Sequence, residues 1–105
     1  MTPSPEPTAA NVTIVDFAFT PAVVTIRPGD QVTWTNQDSA AHTSTSASDL
    51  WDSSALDTAE SFTQTFPSVG EFPYFCAIHP GMTGTVRVEA VPALEPSIYL
   101  PLLRN

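Results

Sequence analysis

From Asn11 to about Ala90 the side chains alternate between apolar and polar in short runs, and the period is two. In "QVTWTN", Val32 and Trp34 fall on one face while Gln31, Thr33 and Thr35 fall on the other. "SFTQTF" places Phe62 and Phe66 together, "EFPYFC" aligns Phe72, Tyr74 and Cys76, and "GTVRVEA" aligns Val86 and Val88 with Arg87 and Glu89 outward. "NVTIVDFAF" is rich in β-branched and aromatic residues, and "AVVTIRPGD" ends in a turn centred on Pro28-Gly29. Short strands separated by turn residues predict an all-β domain, either a β-sandwich or a small barrel.

Three segments break this rhythm. Residues 46–60, "SASDLWDSSALDTAE", are small, polar and acidic, and read as a loop or one short helix with Trp51 plugging the edge of the core. Residues 1–10 carry Pro3, Pro5 and Pro7 and read as a flexible, Pro-rich linker ahead of a domain spanning 11–90. The tail, residues 91–105, holds Pro92, Pro96 and Pro101, which forbid a regular helix, beside the apolar Ile98, Tyr99, Leu100, Leu102 and Leu103. Packing of that tail against the body is expected over binding of a partner.

Length and composition narrow the function. A chain of 105 residues with 42% hydrophobic residues holds one globular domain. One cysteine excludes an internal disulfide. The net charge is −8, with Arg27, Arg87 and Arg104 the only basic residues besides two histidines. Such a chain lacks the clustered cations that neutralise nucleic-acid phosphates, and anionic lipid headgroups repel it. A basic protein surface is the favoured encounter. No segment approaches the ~20 apolar residues of a membrane span. Met1 runs directly into "TPSPEPTAA", a tract of the kind that spaces a secreted domain from a leader or anchor. A leader removed upstream is therefore expected, with a location outside the cytoplasm (periplasmic, cell-surface or secreted) and a membrane tether beyond this sequence as an option.

The candidate chemistry lies in "FCAIHPGM", residues 75–82. Cys76, His79 and Met82 offer a thiolate, an imidazole and a thioether at three-residue intervals where a strand ends. These soft and borderline donors suit copper, whereas magnesium and calcium want oxygen. Two histidines and a cysteine around a weak axial methionine make the blue-copper arrangement, and His42, just beyond "QVTWTN", is the one histidine left to complete it. Singly, each residue has a plainer reading, the cysteine as a small buried hydrophobe and Met82 as core filler. Together, on a β-rich chain, they point to a metal.

Carried by "VTWTNQDSAAHTST" and "SVGEFPYFCAIHPGMTGTVRV", residues 12–88 resemble the cupredoxins, the small type 1 blue copper proteins of the plastocyanin and amicyanin kind. The resemblance implies a Greek-key β-sandwich of about seven or eight strands. It also implies one copper per chain cycling between Cu(I) and Cu(II), held by His42, Cys76, His79 and Met82. It makes His79 the ligand nearest solvent, ringed by Ala40, Ala41, Pro80 and Gly81, with Phe75 as a second exit for electrons. Where those proteins place an asparagine after the first histidine to brace the cysteine loop, this chain has Thr43, whose hydroxyl can still donate or accept, with Asn36 to assist. Asp49, Asp52, Asp57 and Glu60 supply a candidate acidic docking patch.

The implied function is electron transfer by a monomer between a donor and an acceptor protein, not an enzyme. Enzymes built on such domains need further histidine-ligated copper, and both histidines are already used, with Ala77 where those enzymes add a histidine. A copper carrier or storage protein, and an Ig-like binding module without a redox role, are the alternatives.

Overall fold

The computed structural model describes residues 9–90. The apolar tail 91–105 and most of the proposed linker lie outside the described residues. Eight strands follow in order: β1 (Ala9–Val15), β2 (Ala18–Thr20), β3 (Val23–Ile26), β4 (Gln31–Asn36), β5 (Thr45–Ser46), β6 (Ser61–Thr65), β7 (Gly70–Phe75) and β8 (Thr83–Val88). They form two four-stranded sheets, β2-β1-β4-β6 and β3-β8-β7-β5, so the sandwich holds and the barrel does not. Within the sheets β1 runs parallel to β4 and β3 parallel to β8, while the remaining pairs are antiparallel.

The alternation read from sequence decides which side chains meet between the sheets. Val12 and Ile14 from β1, Val32 and Trp34 from β4, Val24 and Ile26 from β3, and Val86 and Val88 from β8 are all buried. On the outer face of the first sheet, hydroxyls pair across β4 and β6, Thr33 with Thr63 at 2.8 Å and Thr35 with Ser61 at 2.9 Å. The core centres on aromatic contacts: Trp34 stacks on Trp51, and Tyr74 meets Trp34 and Phe19 edge-on at centroid distances of 5.3 and 4.7 Å. Trp51 is buried and donates its indole N–H to Ser44 Oγ at 2.9 Å, which fastens the acidic loop to the core as expected. The loop contains no helix: two isolated bridges, His42 to Leu56 and Thr45 to Asp52, fold it back on itself.

Two details differ from the reading of the sequence. β1 begins at Ala9, whose partner is Gln31, two residues before the boundary that composition suggests. "NVTIVDFAF" is a hairpin, because the chain reverses at Asp16-Phe17 to pair Val15 with Ala18. Both turn residues sit in the left-handed region, φ 54° and 56°. Two-residue hairpin turns of this shape favour Asn-Gly, and a side chain there costs ~1–2 kcal/mol per residue. The compensation comes from outside the hairpin. Asp38 accepts the Asp16 N–H on Oδ1 at 2.7 Å and the Phe17 N–H on Oδ2 at 2.9 Å.

Candidate metal centre

His42 arrives on the loop that leaves β4. The buried Asn36 side chain shapes that loop, donating to the carbonyls of Ala40 and Leu56, both at 2.8 Å, and accepting the Asp38 N–H at 2.9 Å. Reciprocal backbone bonds to Leu56 then fix His42 itself, at 3.1 and 2.7 Å. Its ring is fully buried, with Nε2 2.9 Å from Asp38 Oδ2. A carboxylate facing Nε2 accepts a hydrogen bond from the ring proton on that nitrogen, which leaves the Nδ1 lone pair free for a metal. The N–H of Phe17 first, then that of Asp16 and the His42 ring, hold the Asp38 carboxyl below its ordinary pKa.

Cys76 follows β7 directly and is fully buried. The loop it opens is closed by three backbone bonds: Cys76 N–H to Met82 O at 3.0 Å, His79 N–H to Cys76 O at 3.2 Å, and Met82 N–H to His79 O at 2.9 Å. This is the tight return that Pro80 and Gly81 lead one to expect. Met82 is itself buried at the loop's end, and His79 is half-buried.

The three nitrogen and sulfur donors converge. Cys76 Sγ lies 3.7 Å from Nδ1 of both His42 and His79, and the ligand atoms of all three residues fall within 4.8 Å of one another. Bonds of ~2.3 Å to sulfur and ~2.0 Å to nitrogen, meeting near 120°, place those atoms about 3.7 Å apart. The two sulfur-to-nitrogen separations thus fit a shared first-row transition ion, and the softness of the donor set fits copper.

Thr43 takes up the bracing role. Its N–H donates to Cys76 Sγ at 3.3 Å, and its Oγ1 accepts the Ala77 N–H at 2.7 Å. The hydroxyl continues to Thr45 Oγ1 at 2.9 Å, which donates to Asp52 Oδ1 at 3.2 Å. The bonds of the Asn36 side chain go to the His42 loop instead. Around the histidines, Ala40 and Ala41 are half-buried, Pro80 and Gly81 exposed, and Ile78 exposed beside them.

Sequence reasoning missed two members of the site. Asp38 carried a signal, a carboxylate four residues before a proposed histidine ligand. Phe17 carried none, being distant in sequence. Its ring meets those of His42 and His79 edge-on with centroids 4.9 Å away in each case, and the two imidazoles are themselves 4.9 Å apart.

A two-sheet sandwich with a His-Cys-His cluster at the end of one strand defines the cupredoxin class. The sequence model described as "Copper binding proteins, plastocyanin/azurin family" matches residues 7–89, and the chain belongs to that family. It is 38% identical over 86 residues to the chloroplastic plastocyanin of Tetradesmus obliquus, covering 70% of this chain and 59% of that protein. The chain therefore spans less than two thirds of that relative. Among solved structures, a reduced Cu(I) form of amicyanin superposes with a TM-score of 0.73 at 26% identity, over 77% of this chain and 82% of that one. A purple cupredoxin from Nitrosopumilus maritimus gives 0.71 at 30% identity, over 76% and 99%.

Proposed function

We propose that this chain is a type 1 blue copper electron carrier with one copper per chain, which His42, Cys76 and His79 would hold with Met82 as a weaker fourth donor. The convergence of the two imidazoles on the Cys76 sulfur carries the reading. Copper supplies the one-electron Cu(I)/Cu(II) couple. The polypeptide's part is to keep the donors in place through both charge states. Asp38 and Leu56 hold His42, Thr43 holds the sulfur, and the bonded loop 76–82 holds His79, so little reorganisation accompanies a change of charge. The half-buried His79, with exposed Ile78, Pro80 and Gly81, is the exit for the electron. Phe75, half-buried on the face opposite Tyr74, offers a second.

The partners are a redox donor and acceptor with basic docking surfaces, met by a monomer outside the cytoplasm. A net charge of −8 and the exposed Asp49, Asp52, Asp57 and Glu60 support the first point. Membership of the family and the spacer-like N-terminal tract support the location. Full burial of His42 and Cys76 favours an electron carrier over a copper donor, which needs an open and exchangeable site. With both histidines in one cluster, none remains for a second metal of the kind copper enzymes use.

The test is titration of the apo-protein with Cu(II), followed by ascorbate and reoxidation. One equivalent gives an intense thiolate-to-copper band with narrow hyperfine splitting, bleached reversibly, and Cys76→Ala abolishes it. A weak, ordinary copper spectrum, or colour that survives Cys76→Ala, overturns the proposal.

A further inference from the structure

Phe17 is an anomaly on two counts. Its side chain is 51% exposed, yet it occupies a left-handed position that glycine fills more readily. Strained residues persist where the surroundings hold them, and they mark places where the side chain has work to do. Here the restraint is specific, because the carboxylate that holds the Phe17 N–H is the one that holds His42 Nε2. Asp38 Oδ2 thus ties the turn and the buried imidazole to a single atom. The phenyl ring then lies edge-on to both imidazoles, the three rings forming a triangle with sides of 4.9 Å.

We propose that Phe17 is a positioning residue that caps the seam between His42 and His79, closing the metal site to small exogenous ligands. The inference rests on the copper-site reading for what it protects, though the cap itself is a property of the apo-protein. The His42 ring is fully buried although its loop is flanked by the more accessible Ala40 and Ala41, and the Phe17 ring covers it from the neighbouring hairpin. Exposed aromatics usually add apolar area to a surface. This one also fixes the relative attitude of the two imidazoles, since displacing either breaks an edge contact. An aromatic contact of this kind sets a factor of up to about tenfold in an equilibrium or rate.

The informative variant is Phe17→Gly, which removes the ring and relieves the left-handed backbone at once, so the hairpin keeps its turn. The metal-free arm follows diethylpyrocarbonate acylation of the histidines by peptide mass mapping. Phe17→Gly raises the rate at His42 by about tenfold, whereas Phe17→Leu, which restores apolar bulk, stays within a few-fold of wild type. The copper arm adds azide to the Cu(II) protein and follows its EPR spectrum, then measures copper loss to EDTA. The wild-type spectrum is unmoved by azide, while the Gly variant's spectrum changes and its copper leaves about tenfold faster. Unchanged acylation and copper-loss rates in a folded Gly variant overturn the cap, as does a Leu variant as open as the Gly one. If the wild type never turns blue, the copper reading fails while the acylation arm still decides whether the seam is capped.

Discussion

Replacing Thr43 with Val isolates the brace on the ligand loop. The side chain is buried, and valine matches its shape, so packing is preserved and only the hydroxyl is lost. Two hydrogen bonds disappear, the one from Ala77 N–H at 2.7 Å and the one shared with Thr45 Oγ1 at 2.9 Å. A neutral hydrogen bond contributes ~0.5–1.5 kcal/mol net, and a buried donor left without a partner costs ~1–3 kcal/mol. Ala77 lies at the surface, so water replaces part of what its N–H loses, and Thr45 keeps its bond to Asp52. The net effect on the apo-protein is therefore about 1–2 kcal/mol. For a domain of this size each kcal/mol moves Tm by ~4–8 °C, giving a fall of roughly 5–15 °C. Calorimetry of wild type, Thr43→Val and Thr43→Ser supplies the check, with serine keeping the hydroxyl and most of the stability. Because the Thr43 N–H to the sulfur is a backbone bond, the valine variant still binds copper. A valine variant that melts with the wild type refutes the brace, as does a serine variant that melts as low as the valine one, since serine keeps the hydroxyl.

Other consequences follow from the same geometry. Burial pushes the Tyr74 phenol up to about 12, an effect only partly offset by the indole of Trp34, which lies edge-on to it and short of a hydrogen bond. Below pH ~10 both native and unfolded chains keep this proton. As pH rises towards 12 the unfolded chain loses it first, so stability falls by on the order of 2–3 kcal/mol over that window. Denaturant unfolding at pH ~9 and ~11.5, on either side of the ordinary phenol pKa, measures the drop, and equal stability at the two values refutes it. Gly84→Ala directs its new carbon to within 2.5 Å of Tyr74 Cζ and Oη, and the ring cannot yield because Phe19 and Trp34 flank it. A loss of ~1–3 kcal/mol is expected in urea unfolding, and an unperturbed midpoint contradicts the packing. Met82→Gln keeps the blue colour but lowers the reduction potential in voltammetry, since a harder oxygen donor favours Cu(II). An unchanged potential removes Met82 from the axial position.

The parts of this molecule set by local pattern were legible in its sequence. Period-two alternation gave the inward faces of β4, β7 and β8, and the pairing of Cys76 with His42 followed from donor chemistry once only two histidines were available. What alternation cannot express is where the chain turns against local preference. Asp16-Phe17 holds no glycine, and the turn exists because Asp38, 22 residues from Asp16, binds both amides. The same non-locality hid Phe17 from the site. The acidic loop left two readings open, a loop or one short helix, and the structure shows the loop. Its small polar residues allow a helix turn, but Ser44, Ser53 and Asp52 bind nearby amides and side chains in bridges that compete with helical bonding.

The order in which the strands are laid down has a kinetic consequence. β8 is the last of the eight to leave the ribosome, yet it is the inner neighbour of both β3 and β7. Until it is available, β3 has no partner within its own sheet and the loop from Cys76 to Met82 has no second anchor. Pairing Val23 with Thr85 closes a long stretch of chain before any contact rewards the closure, so folding belongs to the slow, millisecond-to-second regime of non-local β proteins. A nascent chain halted before Thr83 would display a soft-metal motif on an unclosed sheet. Copper supplied only after synthesis is complete would meet a finished cradle, and copper supplied earlier would meet a loose thiol.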